Sequence, residues 1–177
     1  ITERKRAEEA LRQSEERFRT LVETAPNAIV SVDAEGRILF VNARTEALFG
    51  YTREELVGLN VDTLLPVRFR QGHANLRLGY FTNPSARLMG TGRDLAARRK
   101  DGTEFPVEIG LSYTGTDQGL VALAFITDIT ERKRAEAAVL GALTSERLAH
   151  SQAVALQERL AFLLEVSSLL AESFDYL

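Results

Sequence analysis

The spacing of apolar residues at the start of the chain predicts a long helix. Between Thr2 and about Thr24 there is no Gly or Pro, and small or apolar residues recur at alternating spacings of four and three, as in a heptad repeat. These residues are Ala7, Leu11, Ser14, Phe18 and Leu21. Pro26 and Asn27 end the pattern. We therefore expect a helix whose apolar stripe, above all Leu11, Phe18 and Leu21, packs against a second helix.

Further along, the pattern changes to that of strands separated by short helices. Two short helical starts follow Asn42 and Thr52, and one or two helices are expected around residues 68–80. The expected strands are 28–32, 37–41, 94–99, 105–111 and 120–127. The last strand is apolar throughout, which indicates a central strand covered on both faces. This order predicts an α+β fold with an antiparallel sheet and small helices on one face.

After Asp128 the chain is helical again, with Gly141 as the only breaker. One heptad frame runs from residue 135 to residue 170, with mainly alanine and polar residues first and leucines later. The leucines are Leu156, Leu160 and Leu163. We expect a coiled coil that is weak at first, firms from Leu156 onward and pairs two chains in parallel.

Composition limits the function classes. The 177 residues, 45% hydrophobic and 27% charged, suit one domain with helical appendages. Net charge is -3, and the basic residues 4–6 are flanked by glutamates, which favours a salt-bridged helix surface and no nucleic-acid partner. The absence of cysteine excludes disulfides, thiolate metal sites, cysteine nucleophiles and flavin-cysteinyl chemistry.

Neither a bilayer-spanning apolar run nor a signal peptide is present in this sequence. We therefore expect a cytoplasmic location without direct membrane contact. The sequence also contains no phosphate loop and no metal-ligand cluster, so we expect that this part of the protein is not an enzyme.

An octapeptide occurs twice, at residues 1–8 and unchanged at residues 129–136. The offset of 128 residues is about one domain long, and much longer than a solenoid repeat. The repeat therefore predicts that the chain is one unit of a tandem array.

Taken with the order of elements, four segments closely resemble a PAS sensor domain over about residues 15 to 137. The segments are 27–42, 49–58, 99–108 and 128–133. The resemblance implies a five-stranded antiparallel sheet around a pocket, joined by helices to kinase, cyclase or phosphatase effectors. It implies three parts: a signalling helix at 1–24, the PAS domain at 25–129 and a coiled-coil linker at 130–177.

In that family an Asp-Ile-Thr sequence ends the last strand and starts the signalling helix. The resemblance thus implies a relay role for Asp128, Ile129 and Thr130, and identifies Ile1 and Thr2 as the tail of an upstream PAS domain. Asp128 or Thr130 can cap the outgoing helix, and an ordinary cap without a signalling role is the alternative. Residues 162–173 resemble the first helix of a GAF domain, although a plain dimerising helix accounts for them equally.

His73 raises the question of a cofactor. Its spacing to Gly90, Gly92 and Arg93 resembles that of heme-PAS oxygen sensors of the FixL type. That resemblance implies an iron ligand at His73, an arginine at Arg93 for heme propionate or oxygen, and an apolar wall at Ile109 and Leu111. Imidazole is an ordinary axial ligand of heme iron, and arginine suits a carboxylate.

The alternative is a surface or capping histidine at position 73, with Arg93 as an anchor for another anion or as an edge-strand charge. His150, the other histidine, is expected on a helix surface. The sequence thus predicts a sensory module that relays a ligand or partner state through paired helices. A heme sensor using His73 and a ligand-free dimerisation module remain as alternatives.

Overall fold

The secondary structure follows the order that the hydrophobic pattern predicts. The computed structural model describes residues 2–89 and 94–174. The α-helices are α1 (Glu3–Glu23), α2 (Ala43–Phe49), α3 (Arg53–Leu56), α4 (Val67–Thr82) and α5 (Thr130–Phe174), with a 3₁₀ helix at Val61–Leu64. The strands are β1 (Ala28–Val32), β2 (Ile38–Val41), β3 (Arg87–Met89), β4 (Leu95–Arg98), β5 (Glu104–Thr116) and β6 (Gly119–Asp128).

The strands form one antiparallel sheet in the order β2-β1-β6-β5-β3, and β4 also pairs with β5. The apolar strand β6 lies in the middle, between β1 and β5. Its inner face contributes Ala122 and Ile126 to the core, and Leu123 and Phe125 on the other face are partly covered. The prediction of a central strand covered on both faces is confirmed.

The sheet differs from the expected five strands in one detail, because its edge beside β5 is shared by two short strands. β5 is 13 residues long, and its first part pairs with β4 while Ile109 to Leu111 pair with β3. β3 has only 3 residues, two of them exposed, so no alternating pattern marked it in the sequence.

The core lies between the inner face of the sheet and the helices that follow β2. Alternate residues of β1 (Ala28, Val30 and Val32) join it, as expected for a strand with one face inward. Phe49 of α2 is fully buried, and its ring lies 5.6 Å from that of Phe105 on β5. Helix α2 is therefore anchored on the sheet by its last residue.

The chain divides into two compact units, Ile1–Thr130 and Glu131–Leu177. The apolar residues of the expected dimer helices are exposed on the single chain. In α1 these are Leu11, Phe18 and Leu21, and in α5 they are Leu156, Leu160 and Leu163. The polar side of α1 carries the expected ion pairs, for example Arg4 with Glu8 at 2.8 Å.

No helix in the described part of the chain combines the length and the apolar character that a membrane span requires.

Candidate functional site

The segment Asp128–Thr130 connects the last strand of the sheet to helix α5. Asp128 Oδ1 accepts hydrogen bonds from the backbone N–H of Thr130 at 2.9 Å and from the Thr130 hydroxyl at 2.5 Å. The Ile129 N–H donates to the Pro106 carbonyl of β5 at 3.1 Å. Asp128 thus caps the first turn of α5, while Ile129 remains bonded to the sheet.

Arg99 completes this connection from the loop between β4 and β5. Its Nη2 donates to Asp128 Oδ2 at 2.9 Å, and its Nη1 donates to the Leu48 carbonyl of α2. The guanidinium also lies 3.9 Å from the centre of the Phe105 ring, a cation–π contact. We call Arg99, Asp128 and Thr130 the output joint.

The charge of Asp128 is stabilised by this arrangement. Partial burial raises its pKa, but hydrogen bonds from Thr130 and the interaction with Arg99 together outweigh burial, so that the pKa lies below its ordinary value. Asp128 is therefore a charged cap, which strengthens its bonds to the N–H and hydroxyl of Thr130.

Asn42, at the start of α2, connects helix α1 to the sheet. Its side chain is fully buried between β2 and α2. Asn42 Oδ1 accepts from the N–H groups of Ile29 at 2.9 Å and Thr45 at 3.1 Å. Its Nδ2 donates to the carbonyls of Val22 and Asn27, each at 3.0 Å. One side chain thus holds the end of α1, the start of β1 and the start of α2.

Glu23, the last residue of α1, adds a charged contact to the same place. Its Oε2 accepts from the N–H of Ala43, the first residue of α2, at 2.8 Å. Its Oε1 lies 2.7 Å from Nη2 of Arg53, which also contacts Glu46 of α2. We call Glu23, Asn42 and Arg53 the input joint.

His73 lies on the half-buried face of α4. Its side chain is 19% exposed, and its Nδ1 lies 2.6 Å from Asp62 Oδ1 in the 3₁₀ helix. Arg77, one turn further along α4, also approaches Asp62 Oδ1, at 3.4 Å. The pairing with Asp62 fixes the imidazole ring and leaves its Nε2 as the nitrogen available for another partner.

The other predicted pocket residues are on the strand side. Ile109 and Leu111 are both half-buried residues of β5 that pack against the core cluster. Arg93 lies outside the described residues, together with Gly90 and Gly92. The structure therefore shows His73 in contact with Asp62, and it does not test a site shared by His73, Arg93, Ile109 and Leu111.

Tyr80 adds a polar group to the core that the sequence did not single out. The residue is 5% exposed, and its buried hydroxyl has no hydrogen-bond partner among the described residues. Burial raises the pKa of this hydroxyl, so it stays protonated and remains a donor.

Among the described residues, no three or more His, Asp and Glu side chains converge to hold a metal ion. The long-range contacts of two residues were not predicted from the sequence. Arg99 was noted only within the PAS-like segment, and its contact with Asp128 spans 29 residues. Asn42 was predicted as a cap of α2, but its bond to Val22, 20 residues earlier, has no local signal.

Comparisons with known proteins agree with this architecture. The family model described as the PAS fold matches residues 16–129. The sensor protein FixL of Bradyrhizobium diazoefficiens is 31% identical over 137 residues, covering 77% of this chain and 27% of its own length. The cell-division control histidine kinase PdhS of Brucella anthropi is 28% identical over 144 residues, covering 81% of this chain and 14% of its own length.

The chain therefore spans about a quarter or less of the length of these relatives. Among solved structures, the PAS domain of an HTR-like protein from Haloarcula marismortui superposes with a TM-score of 0.61 at 28% identity, covering 71% of this chain and 99% of that one. The sheet and helices of this chain, together with these matches, show that it belongs to the PAS family and carries a sensor domain of signal-transduction proteins.

Proposed function

We propose that this PAS domain senses a small ligand or the state of a partner. The resulting structural change is passed to α5 through the output joint. The observation that carries this proposal is the position of Asp128, whose two carboxylate oxygens bond in opposite directions. One bonds Thr130 at the start of α5, and the other bonds Arg99 inside the domain. A movement of the loop that carries Arg99 is thereby transmitted to the first turn of α5. The signal is a shift in population between two arrangements of that helix.

The proposed output is a parallel homodimer paired through α1 and α5. On α5 the side chains of Leu156, Leu160 and Leu163 are 59%, 51% and 53% exposed on the single chain. They follow each other at spacings of four and three, which suits knobs-into-holes packing against a second copy. A dimer would bury this stripe and bring two effector domains together.

Light scattering on two variants tests the pairing. We expect Leu156→Asp and Leu160→Asp to lower the mass from that of a dimer toward that of a monomer, because a charge at a core position of a coiled coil is costly. Ser151→Asp is the matched control, since it adds the same charge to the opposite side of α5. An unchanged mass for both leucine variants would refute the pairing.

The effector is proposed to lie outside these residues. PdhS carries the name of a histidine kinase, and a similar effector would place any enzymatic activity elsewhere in the parent protein. An upstream PAS domain and a downstream GAF domain are proposed on the octapeptide repeat and on residues 162–173.

A second candidate function is a heme-based sensor. The observation that favours it is the contact between His73 Nδ1 and Asp62, because metal-bound histidines usually donate their other ring N–H to a carboxylate. Ile109 and Leu111 would form an apolar wall, and the unpaired Tyr80 hydroxyl could serve a polar group of the ligand. Heme would supply a site for a diatomic gas. His73 would hold the heme, and Asp62 would orient the His73 ring.

The absorption spectrum of protein expressed with heme supplied tests this candidate. A Soret band that His73→Ala abolishes and His150→Ala retains would support it. The control is suitable because His150 is exposed on α5. Without a Soret band, or with one that survives His73→Ala, the heme candidate fails. If native mass spectrometry then also finds no bound small molecule, the ligand-free dimerisation module is the better account.

A further inference from the structure

Helix α2 is held at both ends by the two joints. At its first residue, Ala43 donates to Glu23 of α1 at 2.8 Å, and Asn42 caps the same end. At its last two residues, the Leu48 carbonyl accepts from Arg99 and the Phe49 carbonyl accepts from the N–H of Lys100 at 2.9 Å. Of these partners, Glu23 belongs to the incoming helix α1 and Arg99 belongs to the output joint, while Lys100 follows Arg99 in the same loop.

We propose that α2 couples the end of α1 directly to the start of α5, so that this domain also transmits the state of an upstream neighbour without a ligand of its own. The route runs from Glu23 and Asn42 through α2 to Arg99, and from Arg99 to Asp128. This inference goes beyond the proposed function, because it does not require an occupied pocket.

The packing of α2 makes it suitable as a rigid connector. The side chain of Phe49 is fully buried, and so are Asn42 and Thr45 at the other end. A helix whose two ends are both buried and hydrogen-bonded moves as one body, since close-packed interiors do not deform continuously. A displacement of α1 therefore reaches the Leu48 carbonyl, to which Arg99 is bonded.

The input joint is able to transmit force because its contacts are charged and only partly exposed. The side chains of Glu23 and Arg53 are 24% and 37% exposed, in contrast to the freely exposed pairs along the rest of α1. Arg53 also ties Glu23 to Glu46 in the middle of α2. Glu23 thus bonds the first turn of α2 in two ways, directly at the Ala43 N–H and through Arg53 at Glu46.

Amide hydrogen exchange measured by NMR on the full chain tests the coupling. The reporter is the Thr130 N–H, which bonds Asp128 in the output joint. We expect Glu23→Gln to accelerate its exchange by about threefold or more, within the range known for energetic coupling through packed elements. Glu16→Gln is the matched control, because Glu16 is also an α1 glutamate paired with an arginine, Arg12, and its described contacts stay within α1.

Coupling between two sites is reciprocal, so the reverse experiment must also succeed. We expect Asp128→Asn to accelerate exchange of the Ala43 N–H in the input joint. Asp33→Asn is its control, since Asp33 also accepts from a backbone N–H and from an arginine side chain, both of Arg37, in the turn between β1 and β2 outside the two joints. The proposal is overturned if each variant changes only its own joint. It is equally overturned if Val30 and Ala124, in the centre of the sheet, accelerate by the same factor, because the effect would then be general destabilisation.

Discussion

At the scale of single residues, the charge of Asp128 decides how firmly α5 is attached to the sheet. Its pKa lies below the ordinary value because Thr130 and Arg99 stabilise the charged form more than burial disfavours it. The sign of the effect follows from linkage. A carboxyl group whose pKa is lower in the folded than in the unfolded state stabilises the fold above its unfolded pKa, and this contribution is lost as the pH falls through the folded pKa.

We therefore predict that Asp128→Asn lowers the free energy of unfolding by about 1–2 kcal/mol at pH 7, because it removes charged hydrogen bonds. The difference from the unchanged protein should shrink once the pH falls below the ordinary aspartate value of 3.8. Urea unfolding at a series of pH values measures it. Asp101→Asn, in an exposed turn, should have a smaller effect, and a difference that persists undiminished in acid would contradict the assignment.

At the scale of elements, two asparagines that each cap a helix differ in their burial and in the number of backbone groups that they bond. Asn42 caps α2 and is fully buried, with bonds to four backbone groups. Asn60 caps the 3₁₀ helix from an exposed position, where Oδ1 accepts from the Asp62 N–H at 3.0 Å. Both positions have the cap pattern, so the difference comes from tertiary structure.

Asn42→Ala is predicted to lower the free energy of unfolding by about 3 kcal/mol, because it leaves buried N–H and carbonyl groups of three elements without partners. Asn60→Ala should cost about 1 kcal/mol or less, as for an ordinary exposed cap. Chemical denaturation of both variants measures the contrast. Equal losses would show that Asn42 acts only as a helix cap and not as the connection between α1 and the sheet.

The same comparison shows how far the sequence predicted the structure. Strand β1 and the start of helix α2 were predicted correctly because their signals are local: a run of mainly apolar and β-branched residues for one, and the cap Asn42 for the other. The contacts of Asn42 with Val22 and of Arg99 with Asp128 join residues 20 and 29 positions apart. No pattern of nearby residues encodes such distances, so the joints could be inferred only from the fold.

The candidate pocket was predicted less completely for a related reason. The resemblance to heme-PAS sensors pointed to His73 on α4 and to Ile109 and Leu111 on β5, and both strand residues pack against the core. The partner of the histidine, Asp62, lies on the 3₁₀ helix, a short element with weak sequence signals. Tyr80 could not be recognised as unpaired, because a buried hydroxyl without a partner is a property of the packed core.

At the scale of the whole molecule, the two compact units should respond differently to protein concentration. The chain has no tryptophan, and three of its four tyrosines, Tyr51, Tyr80 and Tyr113, lie between β2 and β6 in the sequence, so tyrosine fluorescence reports mainly on the sheet domain. Far-UV circular dichroism reports mainly on the long helices α1 and α5. An isolated helix with an exposed apolar stripe gains most of its stability from a partner.

We predict that an approximately 30-fold dilution lowers the thermal midpoint seen by circular dichroism, since dimer stability depends on concentration. The midpoint seen by tyrosine fluorescence should change little, because the core of the sheet domain is formed within one chain. The variant Leu156→Asp should remove the concentration dependence, and Ser151→Asp should keep it. Concentration-independent melting in both signals would contradict the pairing of α5.

The output joint has a consequence for how such proteins are assembled. The described hydrogen-bond partners of the Asp128 side chain, Arg99 and Thr130, lie in the unit that ends at Thr130. A recombination event downstream of the octapeptide at 129–136 can therefore exchange the following domain without rebuilding any of these bonds. The junction travels with the sensor, so new combinations of sensor and effector can arise with a working mechanical connection already in place.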